Sequence, residues 1–366
     1  MTIQENVPLA PLTTFHIGGA ARYFAQAKRE DDVREAVEFA KARGLPLFVL
    51  GGGSNLLIAD SGFPGLVLQI AIGGITSESS RDSVLFSVGA GQDWDSFVAQ
   101  AVEQNCAGVE CLSGIPGSVG GTPVQNVGAY GQEVATTIES VRALDMKPVS
   151  NLVSNSAPKS DEARIVVLPN PACGFRYRSS IFNRTGEGGA RGRYIILRVS
   201  YRLKRGGAPN MKYADLQKHF AETKTPPTLA AVREAVRQIR RSKGMLIVPG
   251  DADSHSAGSF FKNPVLSEEQ FRDLNARAQS KDLKIPSYPA LESQHKVSAA
   301  WLVEHSGFAK GFQLGSAAIS NKHALALINA GGAHASDIIR LKETIQEGVQ
   351  NAWGIALEPE PVFVGF

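Results

Sequence analysis

Apolar residues recur at helical spacing at Val33, Ala36, Val37 and Ala40, between the acidic start Glu30-Asp31-Asp32 and Gly44; the pattern predicts a helix capped by that glycine. The short apolar run Leu47 to Leu50 reads as a buried strand, breaks into Gly51-Gly52-Gly53-Ser54-Asn55, and resumes at Leu56-Leu57-Ile58. Val84 to Val88 alternates as a strand does, and Trp94, Phe97, Val98, Ala101 and Val102 mark a second helix. Residues 113 to 131 are dense in glycine and include Pro116 and Pro123, which is loop chemistry on a large scale. Strand-like runs return at Ile165 to Leu168 and at Tyr194 to Leu203, with a surface loop rich in glycine and arginine over 184–193 between them. Gly206-Gly207-Ala208-Pro209 reads as a linker. Beyond it, Thr228 is placed to N-cap a helix whose apolar face is Leu229, Val232, Val236 and Ile239. Ser267 and Gln270 fit a capping box ahead of Phe271 and Leu274. A further helix from Ser336 uses Ile338, Leu341, Ile345 and Val349, and the tail Ile355 to Phe366 ends in a strand-like run. No internal repeat or low-complexity tract is visible.

A chain of 366 residues is too long for one ordinary core and suits two or three domains. The element pattern and the linker at 206 divide it at 1–75, 76–205, 206–335 and 336–366. A hydrophobic fraction of 43% describes a soluble globular protein. Lys and Arg total 38 against 35 Asp and Glu, and a net charge of +3 is too small for the footprint of a nucleic-acid binder. The basic run Arg237 to Lys243 still suits a small anion. Cys106, Cys111 and Cys173 make an odd set with no CxxC pair, so reduced thiols are expected, with neither disulfides nor zinc. The histidines show no HxH or HExxH pattern, and no metal site is expected. With no signal-peptide pattern and no apolar stretch near about 18 residues, the expected location is the cytoplasm, with no membrane attachment.

Gly51-Gly52-Gly53-Ser54-Asn55 directly follows a strand, where glycines let backbone N–H groups crowd around a phosphate. It is neither a Walker A loop nor the GxGxxG fingerprint, and taken alone it is equally well a tight turn. A second cluster, Ser113-Gly114-Ile115-Pro116-Gly117-Ser118-Val119-Gly120-Gly121, is followed by Gln125-Asn126-Val127-Gly128-Ala129-Tyr130-Gly131. Two separated loops of this kind suit an extended ligand, such as a diphosphate with large groups at both ends.

These loops, with Thr13-Thr14-Phe15-His16-Ile17-Gly18-Gly19, resemble those of the UDP-N-acetylenolpyruvoylglucosamine reductases. The resemblance implies an α+β chain. Its vanillyl-alcohol-oxidase-like (PCMH-type) FAD-binding fold would have two parts, 1–75 and 76–205. A C-terminal α/β substrate-binding domain, 206–335, would follow, and 336–366 would add a helix and a strand. It implies non-covalent FAD held by Gly51, Gly52, Gly53, Ser54, Asn55 and Leu56 in the first loop. Gly114, Ile115, Pro116, Gly117, Ser118 and Gly120 would serve in the second, and Asn126, Gly128, Ala129 and Tyr130 in the third.

In the family, NADPH reduces FAD, and the flavin passes hydride to the enolpyruvyl group of a UDP-sugar, giving UDP-N-acetylmuramate for peptidoglycan. Hydride arrives at the terminal carbon, so negative charge develops beside the carboxylate and spreads into it as an enolate. Protein groups must stabilise that charge, protonate the carbon and hold the diphosphate. The segment Ala257-Gly258-Ser259-Phe260-Phe261-Lys262-Asn263-Pro264 matches the one in which the family keeps its proton-donating serine, here Ser259, with Lys262 and Asn263 as expected aids. Arg178, second in Tyr177-Arg178-Ser179-Ser180-Ile181-Phe182, matches the arginine that pairs with the enolate; Arg176 is expected to solvate a loop. Ser179 departs from the pattern, since many members have Asp there. Glu360, in Leu357-Glu358-Pro359-Glu360, matches the catalytic carboxylate, which must be protonated or hydrogen-bonded beside an enolate; Glu358 is expected at the surface. Tyr213, as in the type I subgroup, Lys243 and Asn263 are the implied substrate contacts, in a chain expected to be monomeric.

Two other functions stay open on the residues. An oxidase or dehydrogenase of small alcohols on the same fold would need a base, often a covalent flavin link through His or Cys, and would leave AGSFFKNP without a role. A flavin-carrying sensor or UDP-sugar-binding module would tolerate loss of Ser259, Arg178 and Glu360, all of which are present.

Overall fold

The computed structural model describes residues 1–146, 163–289 and 293–366. They form two compact units, each assembled from separate stretches of chain. The first comprises Met1–Asn6, Arg22–Gly52 and Pro64–Arg240; the second comprises Val7–Ala21, Gly53–Phe63 and Arg241–Phe366.

Two large sheets build the described part of the first unit. A four-stranded sheet runs in the order Ile3–Pro8, Ala20–Ala27, Phe63–Ile70, Leu47–Leu50. Leu47–Leu50 lies parallel to Phe63–Ile70. The helix Glu30–Ala42 buries Val33, Ala36 and Ala40, and Gly44 ends it at φ +59°. The second sheet is antiparallel, in the order Arg164–Pro169, Ile138–Asp145, Tyr194–Arg205, Ser83–Gly89, Ile75–Ser79. Cys106–Ala107 pairs with the end of its longest strand. The helix Trp94–Glu103 sets Trp94 and Phe97 against Tyr201, with ring centroids 5.7 and 5.0 Å away. The segment 184–193 is irregular and largely exposed.

The expected boundary at 206 is displaced. Gly206-Gly207-Ala208-Pro209 does not part the units, because Gly206 donates its N–H to Asn105 O at 2.8 Å and the chain stays in the first unit to Arg240. Leu216, Val232, Ala235 and Val236 bury themselves with Cys111 and Tyr130, and that apolar contact outweighs the glycines.

In the second unit Val362–Val364 lies parallel to Leu56–Ile58, so the tail pairs with a strand about three hundred residues earlier. The helix Ala335–Trp353 buries Ile338, Leu341, Ile345, Val349 and Trp353, and Asp60 accepts hydrogen bonds from Ala335 N and Ser336 N at 2.7 and 3.1 Å. A hairpin of Ala317–Ile319 and Leu327–Asn329 and a small sheet of Val265–Leu266, His295–Val297 and Ser287–Pro289 complete it, with the helix Glu268–Gln279 started by the expected Ser267–Gln270 capping box.

The three cysteines are buried and free; burial pushes the Cys173 thiol up to about 12. Thr228 Oγ1 accepts from Ala231 N at 3.1 Å and caps the helix Leu229–Ser242. Thr228→Ala is expected to cost about 1 kcal/mol, read as a lower urea midpoint for the transition that unfolds the first unit.

Candidate active site

In the first unit the first two glycine loops lie back to back. A Cβ on Gly52 would stand 2.5 Å from Gly117 Cα, and one on Gly51 2.8 Å from Ser118 Oγ. No side chain fits between them. The second loop is fixed by its backbone: Trp94 N donates to Gly117 O at 3.1 Å, Val119 N to Gln92 O at 2.9 Å and Gly120 N to Ala90 O at 2.8 Å. Among the described residues Ser118 Oγ is buried with no hydrogen-bond partner. Leaving such a hydroxyl unmatched costs about 1–3 kcal/mol, a demand that a bound phosphate or flavin oxygen meets. This cradle with its orphaned hydroxyl fits a diphosphate-linked cofactor.

The third loop carries two non-glycine residues at positive φ, Asn126 at +47° and Tyr130 at +48°. The Asn126 side chain donates to Glu133 Oε2 at 2.9 Å and Arg176 O at 3.1 Å, and accepts from Ala135 N at 3.1 Å. Its amide thus holds the loop. Arg178 also lies at positive φ, +51°, and donates from Nη1 to Gly128 O at 3.0 Å, which ties the expected enolate partner to the same loop. Ser179 closes a tight backbone exchange with Arg176, and Asn183 Nδ2 donates to Arg178 O at 3.1 Å. Arg176 is exposed, as expected. Tyr213 packs edge-on to Tyr130, centroids 5.2 Å apart. Left-handed backbone at non-glycine residues costs about 1 kcal/mol each or more and clusters where a site is built.

The basic run from Arg237 forms, with Arg233, a cationic helix face behind the second loop, and its contact with that loop is what the sequence did not show. Arg240 is 9% exposed and donates from Nε to Gly114 O at 3.0 Å. Burial lowers its pKa, against the opposing effects of Tyr130 and Asp95. Asp95 accepts from Gly114 N at 2.6 Å and pairs with Arg233 and Arg237. The clue was the basic run from Arg237; its partner, a single aspartate in another helix, has no local signature.

In the second unit the AGSFFKNP and LEPE segments run antiparallel, with Phe261 opposite Pro359. Glu360 N donates to Phe260 O at 2.8 Å and Lys262 N to Glu358 O at 2.9 Å. Ser259 and Glu360, both half-buried, thereby lie on adjacent hydrogen-bonded segments. Asn55 Nδ2 donates to Glu360 O at 3.3 Å and Asn55 O accepts from Val362 N at 2.9 Å, so the end of the first glycine loop braces the glutamate's strand.

The expected aids to Ser259 are placed otherwise. Lys262 Nζ pairs with the exposed Glu358 at 3.2 Å, and Asn263 Oδ1 accepts from Ala299 N at 2.9 Å, holding the first turn of Ala299–Glu304. The side chain beside Ser259 Oγ is His323, whose Nε2 is 3.3 Å away. It lies 64 positions further along the chain, which no local pattern reveals. Lys243 is half-buried just past the helix Leu229–Ser242. Among the described residues no group of three His, Cys, Asp or Glu is placed to hold a metal ion.

Residues 250–364 match the model of the UDP-N-acetylenolpyruvoylglucosamine reductase C-terminal domain, and residues 21–147 match that of an FAD binding domain. The chain is 43% identical to a UDP-N-acetylenolpyruvoylglucosamine reductase of Streptomyces avermitilis, over 99% of this chain and 96% of that one. It is 42% identical to the reductase of Thermobifida fusca, over 99% and 98%. A crystal structure of the Thermus caldophilus reductase, 24% identical, covers 99% of this chain and superposes with a TM-score of 0.62, which shows the same fold.

Burial alone would raise the Asp95 carboxyl, but the Arg233 hydrogen bond, Gly114 N–H and Arg237 outweigh it and hold its pKa below 3.8. The stability this contributes is complete above pH 3.8 and is lost as pH falls through the lowered folded value. Asp95→Asn is expected to cost about 2 kcal/mol at neutral pH and to flatten the acid limb of a stability–pH curve measured by denaturant titration. Gly52→Val is expected to leave the circular dichroism intact and yield colourless protein, measured as flavin absorbance per chain.

Proposed function

The chain belongs to the family of UDP-N-acetylenolpyruvoylglucosamine reductases, and on that footing we propose how its residues divide the reaction. It is a flavin-dependent oxidoreductase, a UDP-N-acetylmuramate dehydrogenase, which reduces the enolpyruvyl group of UDP-N-acetylglucosamine enolpyruvate to the lactyl ether for peptidoglycan synthesis, with NADPH as reductant. When bound, FAD supplies the hydride relay between NADPH and the substrate.

The loops at Gly51–Asn55, Gly114–Gly120 and Asn126–Tyr130 hold the cofactor, mainly through backbone N–H groups and Ser118 Oγ. Arg178 pairs with the substrate carboxylate as the neighbouring carbon takes on charge, since its planar guanidinium matches an enolate's two oxygens. Ser259 gives its hydroxyl hydrogen to that carbon. Glu360 assists on the same side of the reaction through a hydrogen bond or a relayed proton. Tyr213, Lys243 and Asn263 grip the UDP-sugar. The observation that carries the assignment of the donor pair is the antiparallel pairing of AGSFFKNP with LEPE, through Glu360 N to Phe260 O at 2.8 Å. The first unit supplies most of the FAD-loop residues together with Arg178 and Tyr213, and the second unit supplies Ser259, Glu360, Lys243 and Asn263. Among the described residues no helix is long and apolar enough to cross a membrane. The reading takes the chain as a cytoplasmic monomer acting on a UDP-sugar.

The purified yellow protein is expected to oxidise NADPH rapidly only when UDP-N-acetylglucosamine enolpyruvate is present, followed as loss of NADPH absorbance; oxidation of small alcohols without NADPH would overturn this. In stopped-flow, Ser259→Ala is expected to accept hydride from NADPH and then fail to be reoxidised by the enolpyruvyl substrate. Normal reoxidation would remove Ser259 from the donor's role.

A further inference from the structure

We infer that His323 is the positioning residue for Ser259: its Nε2–H donates to Ser259 Oγ and so leaves the serine's own hydrogen aimed at the carbon to be protonated. The inference rests on the reading of Ser259 as donor and adds the group that makes a plain hydroxyl fit for the task. The two atoms are 3.3 Å apart.

That distance is set by main chain rather than by two mobile side chains. His323 lies in the loop of the hairpin Ala317–Ile319/Leu327–Asn329, closed by Ser320 N to Ala326 O at 2.8 Å and Ala326 N to His323 O at 3.1 Å. His323 N also donates to Ser320 Oγ at 3.3 Å. The loop is pinned to the serine's own segment by Phe260 N donating to Leu325 O at 2.7 Å, and Ser256 pairs with Ile328. The backbone carrying the histidine is therefore bonded directly to the backbone carrying the serine.

The direction of the hydrogen bond follows from the chemistry. A hydroxyl has one hydrogen and two lone pairs. With Nε2 as acceptor, that hydrogen would point at the imidazole and away from substrate. With Nε2–H as donor, it is left for the carbon, and the negative charge growing on Oγ as it departs meets an oriented N–H dipole. The balance closes simply. The enolate's electron pair forms the new C–H bond, the O–H bond of Ser259 breaks, and Oγ carries the charge until solvent returns a proton. His323 keeps its N–H throughout. Lys262, the cation in the same segment, is engaged by Glu358.

The test uses flavin-loaded enzyme in stopped-flow, with reduction by NADPH and reoxidation by UDP-N-acetylglucosamine enolpyruvate timed separately. His323→Leu, which removes the donor, is expected to slow reoxidation about tenfold to a hundredfold and to leave reduction at its wild-type rate. His323→Gln, whose amide can donate, recovers most of that loss. Adding His323→Leu to Ser259→Ala costs nothing further, since the histidine acts through the serine. Wild-type reoxidation in His323→Leu overturns the inference, as does an equal slowing with or without Ser259. Should His323→Leu fail to retain flavin, His323→Glu, of similar reach but an acceptor when ionised, carries the same comparison with His323→Gln; equal reoxidation rates in the two overturn it. Normal reoxidation in Ser259→Ala alone would instead sink the donor reading on which the inference stands.

Discussion

Phe260 gives its backbone N–H to Leu325 and receives Glu360's on its carbonyl, at 2.7 and 2.8 Å. Those two bonds clamp three distant stretches of chain around one residue, and the chemistry of the second unit depends on the clamp. Ser259 precedes Phe260, the His323 loop hangs from one bond, and Glu360 hangs from the other. The side chain explains why the clamp holds. Phe260 is fully buried, edge-on to Phe15, Phe261 and Phe363, with centroids 5.4–6.4 Å away. Burying such a ring stabilises by about 1.5–3 kcal/mol, and the backbone bonds beside it are shielded from water. Lys262 N to Glu358 O and the Asn55 contacts extend the clamp along the glutamate's strand.

The first unit solves a different problem, the close approach of two loops. Gly52 and Gly117 approach so closely that a Cβ on Gly52 would overlap the opposite backbone, and the result is a cradle of main-chain groups with Ser118 Oγ facing inward. Around it the chain tolerates left-handed backbone at Asn126, Tyr130 and Arg178. Each is held by specific bonds, as when Asn126 spends its amide on Glu133, Arg176 and Ala135, and Asn183 fixes Arg178's carbonyl. Rigidity is what hydride transfer needs from this unit, because binding energy is wasted if the reacting carbon is poorly placed.

What was legible in the sequence follows the range of the interactions. Helix starts and stops are local, so Gly44, Thr228 and the Ser267–Gln270 capping box were found at their true places. The glycine loops and AGSFFKNP were legible as contiguous motifs shared with a family. The linker at 206 was misplaced because local glycine content says nothing about Leu216, Val232 and Val236 burying against Cys111 and Tyr130. Lys262 and Asn263 looked like aids to Ser259 through sequence proximity, yet Lys262 turns to Glu358 and Asn263 to the turn at Ala299. His323 was invisible for the converse reason: its nearness to the serine arises from hairpin geometry.

Arg240 shows how such long-range contacts also couple stability to the site. A buried guanidinium is costly unless its donors are matched, and here Gly114 O takes one while Tyr130 and Asp95 offset the burial. Gly114 is in turn held from its other side, through its N–H, by Asp95. The SGIPG loop is therefore gripped at both polar groups of one glycine by a cation and an anion that also attract each other. Removing Arg240 frees the Gly114 carbonyl, and removing Asp95 frees its N–H. The cluster fixes the second glycine loop by holding both backbone polar groups of Gly114, so it acts on the cofactor cradle through backbone position.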